Sequence, residues 1–113
     1  MGESVGLPLL FAAAGLLFVA LGVPLRRGRV RPNFWYGCRT HKTLSDERVW
    51  YAVNRVTGRD MIVGGACIFA AALVVLAAGR DMNPTARALV LLLVMALSVV
   101  WMAVDSRKVS SRM

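Results

Sequence analysis

Acidic residues are scarce in this chain, histidine is nearly absent, and three long stretches carry no charge at all. Six Asp and Glu stand against fourteen Lys and Arg, for a formal net charge of +8. No ionisable Asp, Glu, Lys, Arg or His occurs in the 21 residues from Val5 to Leu25, the 19 from Met61 to Gly79, or the 17 from Ala88 to Val104. At 1.5 Å of rise per residue, a helix of about 20 residues crosses the roughly 30 Å hydrocarbon layer of a bilayer. A helix on the surface of a soluble bundle keeps a polar face, because something must meet water. These runs are apolar all round, in a chain of 113 residues that is too short to bury them. A soluble domain does not fit.

The other shortages narrow the chemistry. His41 is the single histidine, and Cys38 and Cys67 are the two cysteines. Cys38 falls in a hydrophilic segment and Cys67 in an apolar one, so two separate thiols are expected rather than a disulfide. Cys38 and His41 lie three residues apart, but zinc takes three or four ligands and no further ones stand nearby. The same spacing in a loop does not establish a nucleophile and its base. There is no phosphate-cradling glycine loop, and the adjacent Asp46 and Glu47 read as the start of a helix. Ion-coupled carriers and pumps keep ionisable groups at mid-membrane depth, where these runs have none. The expectation is a protein that is not an enzyme, with no cofactor and no metal site.

What is present points to an all-α polytopic membrane protein forming one domain over 1–113. Transmembrane helices are expected at about 5–25, 61–79 and 84–104. A basic connector fills 26–60, with a juxtamembrane amphipathic helix at about 46–58, and a basic, frayed tail fills 105–113. Only Glu3 precedes the first apolar run as a charged residue, so that run lacks the basic start of a signal peptide and reads as a retained helix. Ala12, Gly15 and Gly22 line one of its faces at spacings of three and seven, which allows close helix approach. In the second run Ala66 and Ala70, flanked by Gly64 and Gly65, offer a similar packing pair. Arg80 to Asn83 reads as a neutral turn, with Pro84 suited to the first turn of the next helix. That third helix reaches spanning length from Pro84 if Arg87 snorkels to the interface.

The connector holds nine of the fourteen Lys and Arg against Asp46, Glu47 and Asp60, a net +6. Its first part, RRGRVRPNFWYGCRTHK, reads as ordered loop. Ser45 is then a suitable N-cap, with Asp46 and Glu47 in the first turn. Val49, Trp50, Val53 and Val56 recur at helical spacing. Gly58, Arg59 and Asp60 favour a bend before the second span, one continuous helix being the alternative. The arginines form no nucleic-acid recognition module, whereas attraction to anionic lipid headgroups accounts for a basic connector. The turn at Arg80 to Asn83 is neutral, the N-terminus has no Lys or Arg, and the tail carries Arg107, Lys108 and Arg112. With three spans this charge pattern places the N-terminus outside and the connector and C-terminus in the cytoplasm.

Within the connector, PNFWYGCRTHKTLSDERVWYAVNRVTG resembles the signature of the SdpI/YfhL family of bacterial membrane proteins. The matched positions are Pro32 and Asn33, Tyr36 and Gly37, Arg39 and Thr40, Thr43 and Leu44, then Trp50, Asn54 and Gly58. His41 departs from the pattern, standing where proline is common, and Cys38 occupies a variable slot. The resemblance implies a bacterial inner-membrane protein without enzymatic activity. Its founding member, a longer protein, protects a bacterium from a secreted peptide toxin and holds a transcriptional repressor at the membrane. This chain is accordingly expected to bind a protein partner in or at the membrane, in toxin immunity or regulator sequestration. Homo-oligomers are compatible with this reading. The alternative is an accessory or structural subunit of a larger membrane complex. The expected site residues are Asn33, Tyr36, Gly37, Arg39, Thr40, Trp50, Asn54 and Gly58. Arg39 would tether the connector to carbonyls, a carboxylate or lipid phosphate. Asn33 and Asn54 would fix loop to helix, and Trp50 would seat the amphipathic helix at the interface. These roles serve folding as readily as partner contact.

Overall fold

The computed structural model describes residues 2–33, 35, 37–78, 81 and 83–112. Four helices follow one another: α1 (Gly2–Arg26), α2 (His41–Ser45), α3 (Glu47–Ala78) and α4 (Pro84–Ser111), with no strand among the described residues. α1, α3 and α4 are each long and apolar enough to cross a membrane. The all-α, three-span expectation therefore holds. The molecule measures 50 × 22 × 19 Å, longer than the roughly 30 Å hydrocarbon layer it crosses.

α1 and α3 pack antiparallel on a pair of glycine steps. A Cβ built on Gly15 would stand 2.6 Å from the Gly65 carbonyl oxygen, and one built on Gly22 would stand 2.6 Å from that of Gly58. Both partners repeat every seven residues, two helical turns, so bare backbone meets bare backbone twice along one seam. Such proximity gains dispersion contacts between main chains, the dominant attraction where lipid removes the hydrophobic drive. Phe11 and Ala12 of α1 with Ile68, Ala72 and Val75 of α3 and Leu91 of α4 fill the far end of the bundle. Ala12, Gly15 and Gly22 thus lie on the expected packing face. Ala66 and Ala70 do not: both are exposed, because the helical phase set by Gly58, Gly65, Ile68 and Ala72 turns them outward.

α4 runs antiparallel to α3 and is joined to it by polar contacts at the connector end. The Thr57 and Ser106 hydroxyls lie 2.6 Å apart, and the Arg59 guanidinium donates to Asp105 at 2.6 Å. Farther along, Gly64 faces Ser98. Asn83 caps α4 by accepting from the Thr85 amide at 2.9 Å, and Pro84 occupies the first turn as expected. Residue 79, at the end of the second expected span, and residues 80 and 82 of the neutral turn lie outside the described residues. Arg87, in the first turns of the 28-residue α4, is buried.

Three local expectations are corrected. No bend separates the amphipathic helix from the second span, since α3 is continuous over 32 residues. Gly58 keeps helical geometry there and serves the α1 contact, where an added Cβ would collide with the Arg26 amide nitrogen and the Gly22 carbonyl. Ser45 does not start α3 but ends α2. A capping box between Thr40 and Thr43 starts that short helix one turn earlier. Asp46, extended at φ −143° and ψ 115°, becomes the joint and caps α3, its Oδ1 accepting from the Arg48 amide at 2.9 Å. Finally, the tail is helical through Ser111. It is held by the Thr57 and Arg59 contacts and by Lys42, whose Nζ donates to the Ser110 carbonyl at 2.5 Å.

Candidate functional site

The helices return the chain so that the connector and the end of α4 share one end of the bundle, and there the connector folds back onto α3. The attachment point is the backbone of Cys38. Asn54, 1% exposed on α3, accepts from the Cys38 amide through Oδ1 at 2.5 Å and donates through Nδ2 to the Cys38 carbonyl at 3.3 Å. The same Nδ2 donates to the Trp50 carbonyl one turn earlier, at 3.0 Å. Thr43, wholly buried, donates its hydroxyl to the Cys38 carbonyl at 2.9 Å. One amide side chain therefore pairs with a loop residue as a neighbouring strand would.

Gly37 makes that approach possible. Its φ of +101° lies where side chains are disfavoured, and a Cβ there would stand 2.7 Å from the Asn54 Oδ1. Backbone conformation and proximity independently demand glycine. Thr40 acts just beyond, as the N-cap of α2: its amide donates to Thr43 Oγ1 at 2.8 Å while its hydroxyl accepts from the Thr43 amide at 3.2 Å.

Trp50 has a different place from the one expected. It is 0% exposed, and its indole N–H donates to the Val30 carbonyl at 2.9 Å. The ring is covered by the connector rather than lying at the lipid interface, since a buried indole must find an acceptor and the returning loop supplies one. Among the described aromatics of the connector, Trp35 is exposed, at 87%. Of the two asparagines expected to fix loop to helix, Asn54 makes that tie; at Asn33, Nδ2 donates to the Arg31 carbonyl at 2.7 Å and Oδ1 accepts from the Trp35 amide at 2.8 Å, a local turn. Arg39 is exposed. Tyr36 lies outside the described residues.

The structure brings Gly37, Thr40, Trp50 and Asn54 into one unit and places Gly58 on the α1 seam below it. The structure adds contributors beyond the expected site residues. Thr43, a matched position of the signature outside that set, is a buried donor. Thr57 and Ser106 are single hydroxyls in helices whose spacing alone does not reveal a partner. Asp60 is 0% exposed and receives the Arg59 guanidinium at 3.2 Å, the same arginine that reaches Asp105. Together Arg59, Asp60 and Asp105 mark the level at which the apolar stretches of α3 and α4 begin and end. Burial pushes the Cys38 thiol pKa above its ordinary value. Among the described residues no three His, Cys, Asp or Glu side chains gather in a way that would hold a metal.

Comparison with known proteins adds one match. The model of the SdpI/YfhL protein family covers residues 29–104, from the connector through most of α4. No curated protein and no solved structure matches the chain.

Proposed function

The chain belongs to the SdpI/YfhL protein family, and we propose that it acts without catalysis, by binding a partner through its connector in toxin immunity or in holding a regulator at the membrane. The observation that carries this reading is the order of the connector. A segment needed only to attract lipid requires no buried amide, no positive-φ glycine and no capping box, yet this one has all three. Its fixed backbone leaves Trp35, Arg31 and Arg39 on the outside, a combination of residue types enriched at the centres of protein interfaces. We place the protein in a bacterial inner membrane with the N-terminus outside and the connector and C-terminus in the cytoplasm, on the charge asymmetry of its loops. Anionic headgroups would then hold the connector near the surface while a protein partner docks on it.

The test is a survival assay in a sensitive bacterium challenged with a secreted peptide toxin, with membrane levels measured in parallel. Trp35→Ala and Arg31→Ala, both at exposed positions, should accumulate normally and lose protection or lose a co-purifying regulator. Normal protection and unchanged co-purification by both variants would reject the connector as the binding surface. The alternative is an accessory subunit whose partner would replace lipid on α4, where Leu89, Leu92, Leu93, Leu97 and Val100 are exposed in the isolated chain. A stoichiometric complex recovered in gentle detergent, independent of toxin, would support it.

A further inference from the structure

A cavity of about 680 Å³ opens between the connector and the C-terminal half of α4. Pockets for small molecules commonly hold 300–1,000 Å³, so the space suits a ligand rather than a single water. Its chemistry changes along α4. Val99, Met102 and Ala103 line it on the membrane side, and Ser106, Arg107 and Ser110 line it toward the helix end. At 1.5 Å per residue the distance from Val99 to Ser110 along the axis is roughly 16 Å. That is the length of a headgroup region followed by part of an acyl chain.

The sign of charge is equally uneven. Lys42 and Arg107 face the cavity, and among the described residues no carboxylate lines it. The nearest acid on α4, Asp105, is engaged by Arg59 at 2.6 Å. The polar groups deeper in the wall are already satisfied: Thr57 and Ser106 share a hydrogen bond of 2.6 Å, and Thr57 also donates to the Val53 carbonyl. A ligand therefore meets no unmet hydrogen-bonding demand at that depth, where an apolar chain would lie. At the mouth, Lys42 uses one of its three N–H donors on Ser110, which positions the ammonium and leaves donors for an anion.

We propose that this cleft holds one anionic phospholipid, its phosphate between Lys42 and Arg107 and one acyl chain along Val99, Met102 and Ala103. The site is distinct from the Trp35 surface and does not depend on which protein the connector binds. The lipid acts as a wedge that joins the end of α4 to the connector.

The full chain, reconstituted in nanodiscs of phosphatidylglycerol and phosphatidylcholine, is released into a mass spectrometer under native conditions and its retained lipids are counted. Wild type should keep one phosphatidylglycerol in preference to phosphatidylcholine. The K42Q/R107Q variant should lose that preference by roughly tenfold, as expected for removing charge-assisted contacts to phosphate. The R27Q/R29Q variant, with the same loss of charge outside the cavity, should retain it. Ala103→Trp should lower retention of both lipids with the two cations intact. All five positions are exposed, and in K42Q/R107Q the Thr57–Ser106 and Arg59–Asp105 contacts still hold α4, so helical content by circular dichroism should be unchanged. An equal loss in K42Q/R107Q and R27Q/R29Q would mean diffuse attraction and overturn the proposal. So would unchanged retention in Ala103→Trp, or full displacement of the lipid by soluble glycerol 3-phosphate, which lacks the chain.

Discussion

Asn54 shows how one side chain can order a loop that its own sequence leaves free. Its amide meets both main-chain groups of Cys38, so the partner is a backbone and the identity of residue 38 is immaterial to the contact. Asn54→Ala should destabilise the protein by about 2–3 kcal/mol, since it strands buried polar groups that had partners. Cys38→Ser should cost less than about 1 kcal/mol. Thermal unfolding in detergent compares the two, and equal losses would refute a backbone hub. The thiol makes a separate prediction. Burial pushes its pKa above the ordinary value, which disfavours the thiolate, the nucleophilic form. In a Cys67→Ala background, maleimide should label Cys38 more slowly than a free thiol near neutral pH. The rate should climb only at pH values above the ordinary thiol midpoint; a pH profile matching free cysteine would contradict the shift.

At the scale of elements, the seam between α1 and α3 decides whether the bundle forms. A Cβ on Gly65 would lie 2.5 Å from the Gly15 carbonyl oxygen, backbone against backbone, with no flexible side chain to yield. Gly65→Val should therefore separate the helices, costing at least about 1–3 kcal/mol by overpacking and lowering membrane accumulation. Gly6→Ala, whose added Cβ meets nothing within 4 Å, should be silent on both measurements. The α1 half of this seam was legible, because Ala12, Gly15 and Gly22 fall on one face whatever the partner. The α3 half was not: Ala66 and Ala70 satisfy the small-residue spacing as well as Gly58 and Gly65 do, and only the partner's position selects between them. The same limit explains the bend expected at Gly58. Local propensity disfavours glycine within a helix, but contact with α1 requires it there. The connector followed a similar rule. Its motif residues stood out by type, yet the burial of Trp50 depends on where the loop returns, which no spacing reveals. The Thr57–Ser106 pair was hidden because single hydroxyls are ordinary in sequence.

Across the whole molecule, the antiparallel packing of α1 on α3 and of α3 on α4 puts the connector and the C-terminal end together, opposite the turn before Pro84. Basic charge divides along the same axis. The connector and the last turns of α4 are rich in Lys and Arg, while residues 1–25 contain neither. Lys and Arg retained on the cytoplasmic side set the orientation of short-looped membrane proteins, so a fluorescent protein fused after Met113 should fold and glow, whereas alkaline phosphatase fused there should stay inactive. The arrangement is also reversible in principle, because three spans with short connections present no large folded domain to translocate. Replacing Arg26, Arg27, Arg29 and Arg31 with Gln while introducing Glu3→Lys and Ser4→Lys removes four positive charges from one end and supplies two to the other. A measurable share of the chains should then invert, seen as phosphatase activity gained and fluorescence lost. Asn54, Gly37 and the glycine seam are untouched by these changes, so the fold has no reason to fail. Unaltered orientation at full accumulation would show that something other than these charges directs the chain into the bilayer.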